Sequence, residues 1–332
     1  MKILFVEDEL SKNIPRIIRL FSSYLGKKRI ERLNLLDADE YGAEPEEIKA
    51  IVEETNLIEL DYRFSDALCK IVQSYQDYAL FIVDRNLSET EYDFNEVKKL
   101  DPAYTEALYD RYFEREGDYL LYKLAMLSNA DIVKAKFYYL TAYSADDEIR
   151  GQDDITALIE HFGDFKTQNM IEKGAIEKLK EVVENIPILN LQYENRAYLD
   201  ILRKNIGHDA AEGFLKILEE KDEPRRIGDN LKEIRIIYES MLSVCALKIP
   251  GMKQACGDEK GGKTIIWLQN NQYIDEVILR NFLFSIRKIS NEFGAHKQYP
   301  YKPFYEPTRD TVNSLVYALK DVILWFGKIC SP

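Results

Sequence analysis

The first 186 residues alternate short apolar runs with stretches in which apolar residues recur every three or four positions. Five runs have the length and character of strands: residues 2–6, 57–62, 79–83, 136–144 and 168–173. The intervening stretches predict helices over residues 12–25, 64–75, 118–127, 153–162 and 174–186. Strands that alternate with helices pair in parallel through right-handed crossovers. We therefore predict an α/β fold with a doubly wound, five-stranded parallel sheet in residues 1–186.

Two segments interrupt this alternation. Residues 27–56 are charged and helix-prone, and residues 88–116 are acidic and rich in tyrosine. Long segments between the elements of a compact domain usually lie on its surface, where they also carry function. We predict that both are insertions on the surface of the α/β core.

The strand pattern ends near residue 187, and only helical periodicity follows. Apolar residues recur at helical spacing over residues 194–220, 230–249, 275–294 and 310–329. The breaks between these stretches contain glycine, proline or polar clusters, which are typical of turns. The pattern therefore predicts a second, all-helical domain over residues 187–332.

Composition narrows the classes of protein that fit. No apolar run reaches the roughly 18 residues that a membrane span needs, and residues 1–9 lack the features of a secretory signal. The four cysteines are far apart and form no CxxC pair, as expected for reduced thiols in the cytoplasm. The net charge is −13. Residues 1–186 carry 24 basic and 39 acidic residues, which disfavours DNA binding, and residues 187–332 carry 21 and 19.

Chemically active side chains stand where the predicted strands end. Glu7 and Asp8 follow the first strand, Asp84 follows the third, Thr141 ends the fourth, and Lys173 ends the fifth. In an open parallel sheet, the carboxyl ends of the strands form the ligand-binding edge. Three converging carboxylates favour a hard cation with oxygen ligands, usually Mg²⁺. With the charge balanced in this way, an aspartate can accept a phosphoryl group as a nucleophile.

The segments ILFVEDE, LFIVDRNLS, YYLTAYS and MIEKG resemble, in this order, the signature segments of the response-regulator receiver domain, a flavodoxin-like fold. The resemblance implies that Asp84 is the phospho-acceptor and that Thr141 and Lys173 are the switch hydroxyl and the lysine of the site. It implies that Mg²⁺ is bound by Glu7, Asp8, Asp84 and the backbone carbonyl of Asn86. It further implies a bacterial two-component response regulator, phosphorylated by a sensor histidine kinase, with a helical output or dimerisation domain.

Three features depart from that family. Gly174 stands where the family has a proline after the lysine, and Met170 stands where it has an aromatic switch residue. The third departure is the insertion over residues 88–116, which begins beside the site and could cover it, rebuild it or delay dephosphorylation. An alternative hypothesis is therefore a degenerate receiver that serves as a non-catalytic scaffold. For the single residues, the alternative is that Glu7 and Asp8 cap the following helix, that Lys173 is a solvated lysine and that Thr141 is an ordinary strand threonine.

The helical half has a looser resemblance. Residues 279–296, LRNFLFSIRKISNEFGAH, together with the earlier NLKEIRIIYESML that contains Glu239, resemble the helices of HEPN-type and abortive-infection C-terminal domains. Those domains carry an arginine, a polar residue and a histidine near the end of one helix, which here implies Arg287, Asn291 and His296. In RNases of that type the histidine and the arginine act on the scissile phosphate at a dimer interface. The alternative function is thus an RNase regulated by the receiver-like half. A further alternative assigns His208 to phosphotransfer, and His161 has no assigned function.

Overall fold

The computed structural model describes residues 1–39, 42–87, 92–142, 148–150, 157, 164–257, 261–274, 277–294 and 305–330. The chain divides into two compact units, Met1–Asn190 and Leu191–Pro332. The division lies four residues beyond the boundary that the change of pattern suggests. None of the helices in the described residues is long and apolar enough to cross a membrane.

The first unit contains a five-stranded sheet in which every strand pair is parallel. The strands are β1 Lys2–Val6, β2 Ile58–Asp61, β3 Tyr78–Val83, β4 Phe137–Thr141 and β5 Met170–Glu172, in the spatial order β2-β1-β3-β4-β5. The predicted parallel sheet is confirmed. Because β2 lies on one side of β1 and β3 lies on the other, the strand order reverses between β1 and β3. Their carboxyl ends therefore flank the position where ligands bind in such sheets.

Among the described residues of this unit, nine α-helices accompany the sheet. They are α1 Ile14–Asp37, α2 Pro45–Glu53, α3 Phe64–Ser74, α4 Phe94–Leu100, α5 Glu106–Tyr112, α6 Glu116–Leu127, α7 Ala130–Lys136, α8 Phe165–Asn169 and α9 Ile176–Glu184. A further helix, α10 Pro187–Glu194, spans the division between the units. The helix predicted over residues 153–162 lies outside the described residues except for residue 157.

Both faces of the sheet are covered by helices, which is why its strands are apolar without alternation. On one face, Phe5 packs edge-on against Phe21 of α1, with ring centroids 5.7 Å apart. Along α1, Tyr24 donates a hydrogen bond of 3.0 Å to the carbonyl of Val183 in α9. On the other face, Val6 and Val83 belong to one buried cluster with residues of α3 and α6.

The insertion over residues 27–56 protects the β2 edge of the sheet. Helix α1 continues through Gly26, whose φ of +70° kinks it, and α2 follows. From α2, Lys49 binds the Asp61 carboxylate at 3.0 Å, and Glu53 accepts a hydrogen bond of 3.2 Å from the backbone N–H of Leu60. An exposed strand edge invites pairing with other chains, and the contact from Glu53 satisfies one backbone N–H of that edge.

The insertion over residues 88–116 contributes to the core rather than only to the surface. Tyr104 and Tyr112 are fully buried. The Tyr104 ring packs against Tyr119 of α6 at 4.8 Å and against Phe64 of α3 at 6.2 Å. The prediction of a surface excursion is wrong for these rings, because the tyrosines supply apolar area that α3 and α6 need to bury.

The second unit is helical throughout its described residues. Its helices are α11 Arg196–Asn205, α12 His208–Glu220, α13 Ile227–Lys248, α14 Met252–Cys256, α15 Gly262–Asn270, α16 Val277–Phe293 and α17 Arg309–Cys330. The helical stretch over residues 194–220 forms two helices, because Gly207 adopts a φ of +140° that ends the first of them. The long helix α13 packs against both α16 and α17 and supplies buried residues such as Ile234 and Leu242.

Candidate functional site

Three carboxylates converge at the carboxyl ends of β1 and β3. Val6 and Val83 are paired in register, and the backbone N–H of Asp84 donates a 2.9 Å hydrogen bond to the carbonyl of Val6. This pairing places Asp84 beside the residues that follow Val6. Ligand oxygens of Glu7, Asp8 and Asp84 all lie within 4.8 Å of one another. These side chains belong to residues that are 1%, 9% and 7% exposed, so they meet in a largely dry site.

Lys173 brings a positive charge into this cluster. Its ammonium lies 2.9 Å from Glu7 Oε2 and 2.6 Å from Asp84 Oδ2. Its backbone N–H donates a 3.0 Å hydrogen bond to the carbonyl of Thr141, which is itself 1% exposed. The four neighbouring strands β1, β3, β4 and β5 thus present their predicted site residues at one edge of the sheet.

The charged groups of the site alter one another's pKa. Burial, followed by the neighbouring Asp84 carboxylate, raises the pKa of Glu7 to about 7, although Lys173 acts in the opposite direction. Burial lowers the pKa of the Lys173 ammonium, but Glu7 and Asp84 outweigh burial and leave its pKa above the ordinary value. A carboxyl group with a pKa near 7 resists ionisation, and here burial contributes more to that resistance than the repulsion from Asp84 does.

The donor set fits a divalent cation with oxygen ligands. All three converging groups are carboxylates, and hard cations such as Mg²⁺ and Ca²⁺ take oxygen ligands almost exclusively. Lys173 already contacts two of the three carboxylates, so a cation would share Glu7 and Asp84 with the ammonium. Burial and the neighbouring Asp84 carboxylate raise the pKa of Glu7, so a bound cation would lower that pKa again by stabilising the charged form of Glu7.

The start of helix α6 forms hydrogen bonds with the turn over residues 84–87. The backbone N–H of Gly117 donates a 3.0 Å hydrogen bond to the carbonyl of Arg85. The fully buried Glu116 accepts a 3.2 Å hydrogen bond from the backbone N–H of Leu87. A Cβ atom on Gly117 would lie 2.3 Å from the carbonyl oxygen of Asp84, so only glycine permits this approach.

The side chain of Arg85 is the largest fully buried side chain of the protein's described residues. Its guanidinium forms a two-pronged ion pair with Asp118, with Nε–Oδ1 and Nη2–Oδ2 distances of 3.0 and 2.9 Å. The sequence analysis missed Arg85, Glu116, Gly117 and Asp118. The available signal was a charged residue directly after Asp84, together with the acids at the start of α6, but Arg85 and Asp118 lie 33 positions apart in the sequence.

The site residues proposed for the helical unit are only partly described. Arg287 and Asn291 lie four positions apart on α16, and both are half-buried. His296 and His161 lie outside the described residues, so the proposed catalytic set is not assembled on described positions. Glu239 in α13 accepts a 2.7 Å hydrogen bond from Arg235 on the same helix.

His208, the proposed phosphotransfer residue, starts α12. Its side chain is 73% exposed, and its Nε2 lies 3.7 Å from Glu212 on the same helix. Nothing in this arrangement distinguishes a phosphotransfer residue from an exposed histidine at a helix N-terminus.

Residues 257–264, GDEKGGKT, match the spacing GxxxxGK[ST] of the phosphate-binding P-loop, which was also missed. A P-loop follows a β-strand and leads into a helix. Here Gly257 follows the short helix α14, and Gly262 begins α15. The match therefore lacks the structural context that its chemistry requires.

Comparisons with known protein families, with curated proteins and with solved structures find no match for this chain.

Proposed function

We propose that the α/β unit is a receiver domain of the flavodoxin-like, doubly wound type, in which Asp84 accepts a phosphoryl group. The observation that carries this proposal is the convergence of Glu7, Asp8 and Asp84 within 4.8 Å, with the Lys173 ammonium against Asp84. The strand order β2-β1-β3-β4-β5 supports it, because this order places the site at the switch point where such sheets bind ligands.

In the proposed reaction a carboxylate oxygen of Asp84 attacks phosphorus in line with the leaving group. For a phosphohistidine donor, a P–O bond to Asp84 forms while the P–N bond breaks, and the imidazole leaves with the electron pair. Strand β3 holds the nucleophile in place, because its backbone is paired with β1 up to the Asp84 N–H.

The other residues of the site stabilise charge. The Lys173 ammonium, already 2.6 Å from Asp84, neutralises the oxygen that becomes part of the acyl phosphate. The hydroxyl of Thr141 at the end of β4 is the donor for a phosphoryl oxygen. Glu7, Asp8, Asp84 and the Asn86 carbonyl would hold Mg²⁺, and the chemistry that this ion supplies when bound is charge neutralisation on the phosphoryl oxygens.

The helical unit is, in this proposal, the output that responds to phosphorylation. A sensor histidine kinase in the cytoplasm supplies the phosphoryl group, and the response is a change in self-association. RNA cleavage through Arg287, Asn291 and His296 is the alternative output, and a silent receiver that acts as a scaffold is the alternative to both.

The test is phosphorylation of the full chain by acetyl phosphate in the presence of Mg²⁺, followed by intact-protein mass spectrometry. We expect one added phosphoryl group, its loss in Asp84→Asn, and its retention in Asp77→Asn, which changes an exposed aspartate just before the same strand. An unmodified parent chain that also shows no response to beryllofluoride would remove the proposal and favour the scaffold. Phosphorylation of Asp84→Asn at the rate of the parent would contradict it equally.

A further inference from the structure

The turn that carries Asp84 is fastened to α6 by three consecutive residues. Glu116 binds the N–H of Leu87, Gly117 binds the carbonyl of Arg85, and Asp118 binds the Arg85 guanidinium. The first two contacts hold the backbone of the turn. The third is an ion pair between side chains that are both fully buried.

Asp118 also joins the turn to the next strand and to the segment beyond it. Its Oδ1 accepts a 2.8 Å hydrogen bond from the hydroxyl of Tyr139 in β4, and its Oδ2 accepts a 2.9 Å hydrogen bond from the backbone N–H of Arg150. The Arg85 guanidinium donates in turn to the carbonyl of Glu148 at 2.7 Å. The guanidinium carbon also lies 5.6 Å from the centre of the Tyr139 ring.

A gain in folding stability does not by itself explain why a buried ion pair stands at this position. Removing two charges from water is costly, and apolar side chains of similar volume often stabilise a protein as well as a buried ion pair does. A planar, two-pronged arginine–carboxylate contact instead fixes direction, because both partners must keep one orientation to make it. Arg85 directly follows Asp84, so fixing Arg85 also fixes the peptide that aims the Asp84 carboxylate.

We propose that Arg85 and Asp118 are positioning residues for the phosphoryl-accepting Asp84. Together they hold the turn over residues 84–87 at the orientation in which Asp84 meets Glu7 and Asp8. Through Tyr139 they set the same turn relative to the end of β4, two residues before Thr141. This inference rests on the proposed function, since it assigns a geometric cause to the reactivity of Asp84.

The test compares three variants of the full chain with the parent. The apolar variant Arg85→Met/Asp118→Leu/Tyr139→Phe removes the buried network without leaving an unpaired charge in it. Arg85→Lys keeps the positive charge but cannot make the two-pronged contact. The control, Asp101→Leu/Tyr119→Phe/Lys123→Met, removes another ion pair of α6, with a contact of 2.6 Å, together with the tyrosine hydroxyl that donates to Asp101.

Thermal unfolding shows which variants are folded, and two further measurements test positioning: the rate of phosphorylation by acetyl phosphate and the affinity for Mn²⁺ as a probe cation. We expect the apolar variant to react at least about tenfold more slowly and to bind Mn²⁺ more weakly at a similar melting temperature. We expect a smaller loss of rate in Arg85→Lys and less than about a twofold change in the control.

A folded apolar variant with the reaction rate and Mn²⁺ affinity of the parent would overturn the inference while leaving the proposed function intact. If the apolar variant does not fold, the test rests on Arg85→Lys. An unchanged rate of phosphorylation in Arg85→Lys then overturns the inference. If the parent neither reacts nor binds Mn²⁺, the proposed function fails first and the positioning assignment falls with it.

Discussion

The turn over residues 84–87, which carries the proposed phosphoryl acceptor, is called the acceptor turn below. Replacing Gly117 by alanine tests whether the close approach of α6 to this turn matters. An added Cβ would lie 2.3 Å from the Asp84 carbonyl oxygen and 2.8 Å from the Arg85 Cα. Both neighbours are backbone atoms, so neither can rotate away as a flexible side chain would. Even to reach 3.0 Å, which is still tighter than an ordinary van der Waals contact, the turn or the helix must move by at least roughly 0.7 Å.

The size of the effect follows from two opposing terms. Overpacking by one methyl group costs about 1–3 kcal/mol, while alanine in a helix gains up to about 1 kcal/mol over glycine. We therefore expect Gly117→Ala to lower the free energy of unfolding of the α/β unit by about 1–2 kcal/mol. A shift of roughly 0.7 Å also exceeds the tolerance of about 0.5 Å for a working site, so cation affinity and phosphorylation rate should fall as well.

Gly174→Ala is the matched control, because this glycine lies in the same unit and its added Cβ would meet nothing within 4 Å. Its unfolding free energy should stay within about 0.5 kcal/mol of the parent. Urea unfolding followed by far-UV circular dichroism measures both units. Trp267 and Trp325 are the two tryptophans of the chain, so tryptophan fluorescence follows the helical unit separately.

The fluorescence transition should be unchanged in both variants, and only the dichroism transition of Gly117→Ala should move. If Gly117→Ala matches Gly174→Ala in unfolding midpoint and in cation affinity, the acceptor turn does not depend on the support of α6, and the reasoning is refuted.

Three further predictions concern single residues. Because the pKa of Glu7 is raised to about 7, its contribution to stability is full below its ordinary pKa and is lost as pH rises through about 7. Cation affinity should therefore increase over the same rise, and Glu7→Gln should abolish both dependences in titrations that follow unfolding and Mn²⁺ binding. Lys173→Met should destabilise the apo protein through carboxylate repulsion, with added Mg²⁺ raising its melting temperature more than that of the parent; an equal increase would contradict the proposed charge balance. Tyr104→Ala should cost about 3–5 kcal/mol, as for other large buried aromatics, and a loss below about 1 kcal/mol in urea unfolding would show that the insertion is not part of the core.

The parallel sheet could be predicted because each strand is an apolar run that ends at a polar residue. The run 79–83 leads directly to Asp84, and the structure places β3 at Tyr78–Val83. Parallel strands end at the same edge, so the sequence predicts that Glu7, Asp8, Asp84 and Lys173 lie at one edge. The structure adds the strand order, which places β1 beside β3.

The contacts between α6 and the acceptor turn could not be predicted in the same way. The apolar spacing predicts that the helix following the insertion begins at residue 118, whereas α6 begins at Glu116. Glu116 and Gly117, which the prediction leaves out, both contact the acceptor turn. Helix ends are set by local hydrogen bonds rather than by apolar spacing, so periodicity does not define them. The pairing of Arg85 with Asp118 depends on how the insertion packs, which no local pattern reports.

The Tyr-rich segment shows a related limit of the sequence pattern. Its acids and tyrosines indicate a solvated surface by composition, yet the rings of Tyr104 and Tyr112 are buried. A tyrosine can bury its ring and still satisfy its hydroxyl, as Tyr119 does by donating to Asp101 at 2.7 Å. Composition does not distinguish this arrangement from an exposed loop.

The most direct test of the central claim is a titration of the full chain with Mn²⁺, followed by electron paramagnetic resonance. The account predicts one saturable site per chain that Mg²⁺ displaces, and that is lost or strongly weakened in Asp8→Asn and in Asp84→Asn but not in Asp77→Asn. A parent chain without a saturable site, or a site that survives both substitutions in the acidic cluster, would contradict the claim that these carboxylates act together on one cation.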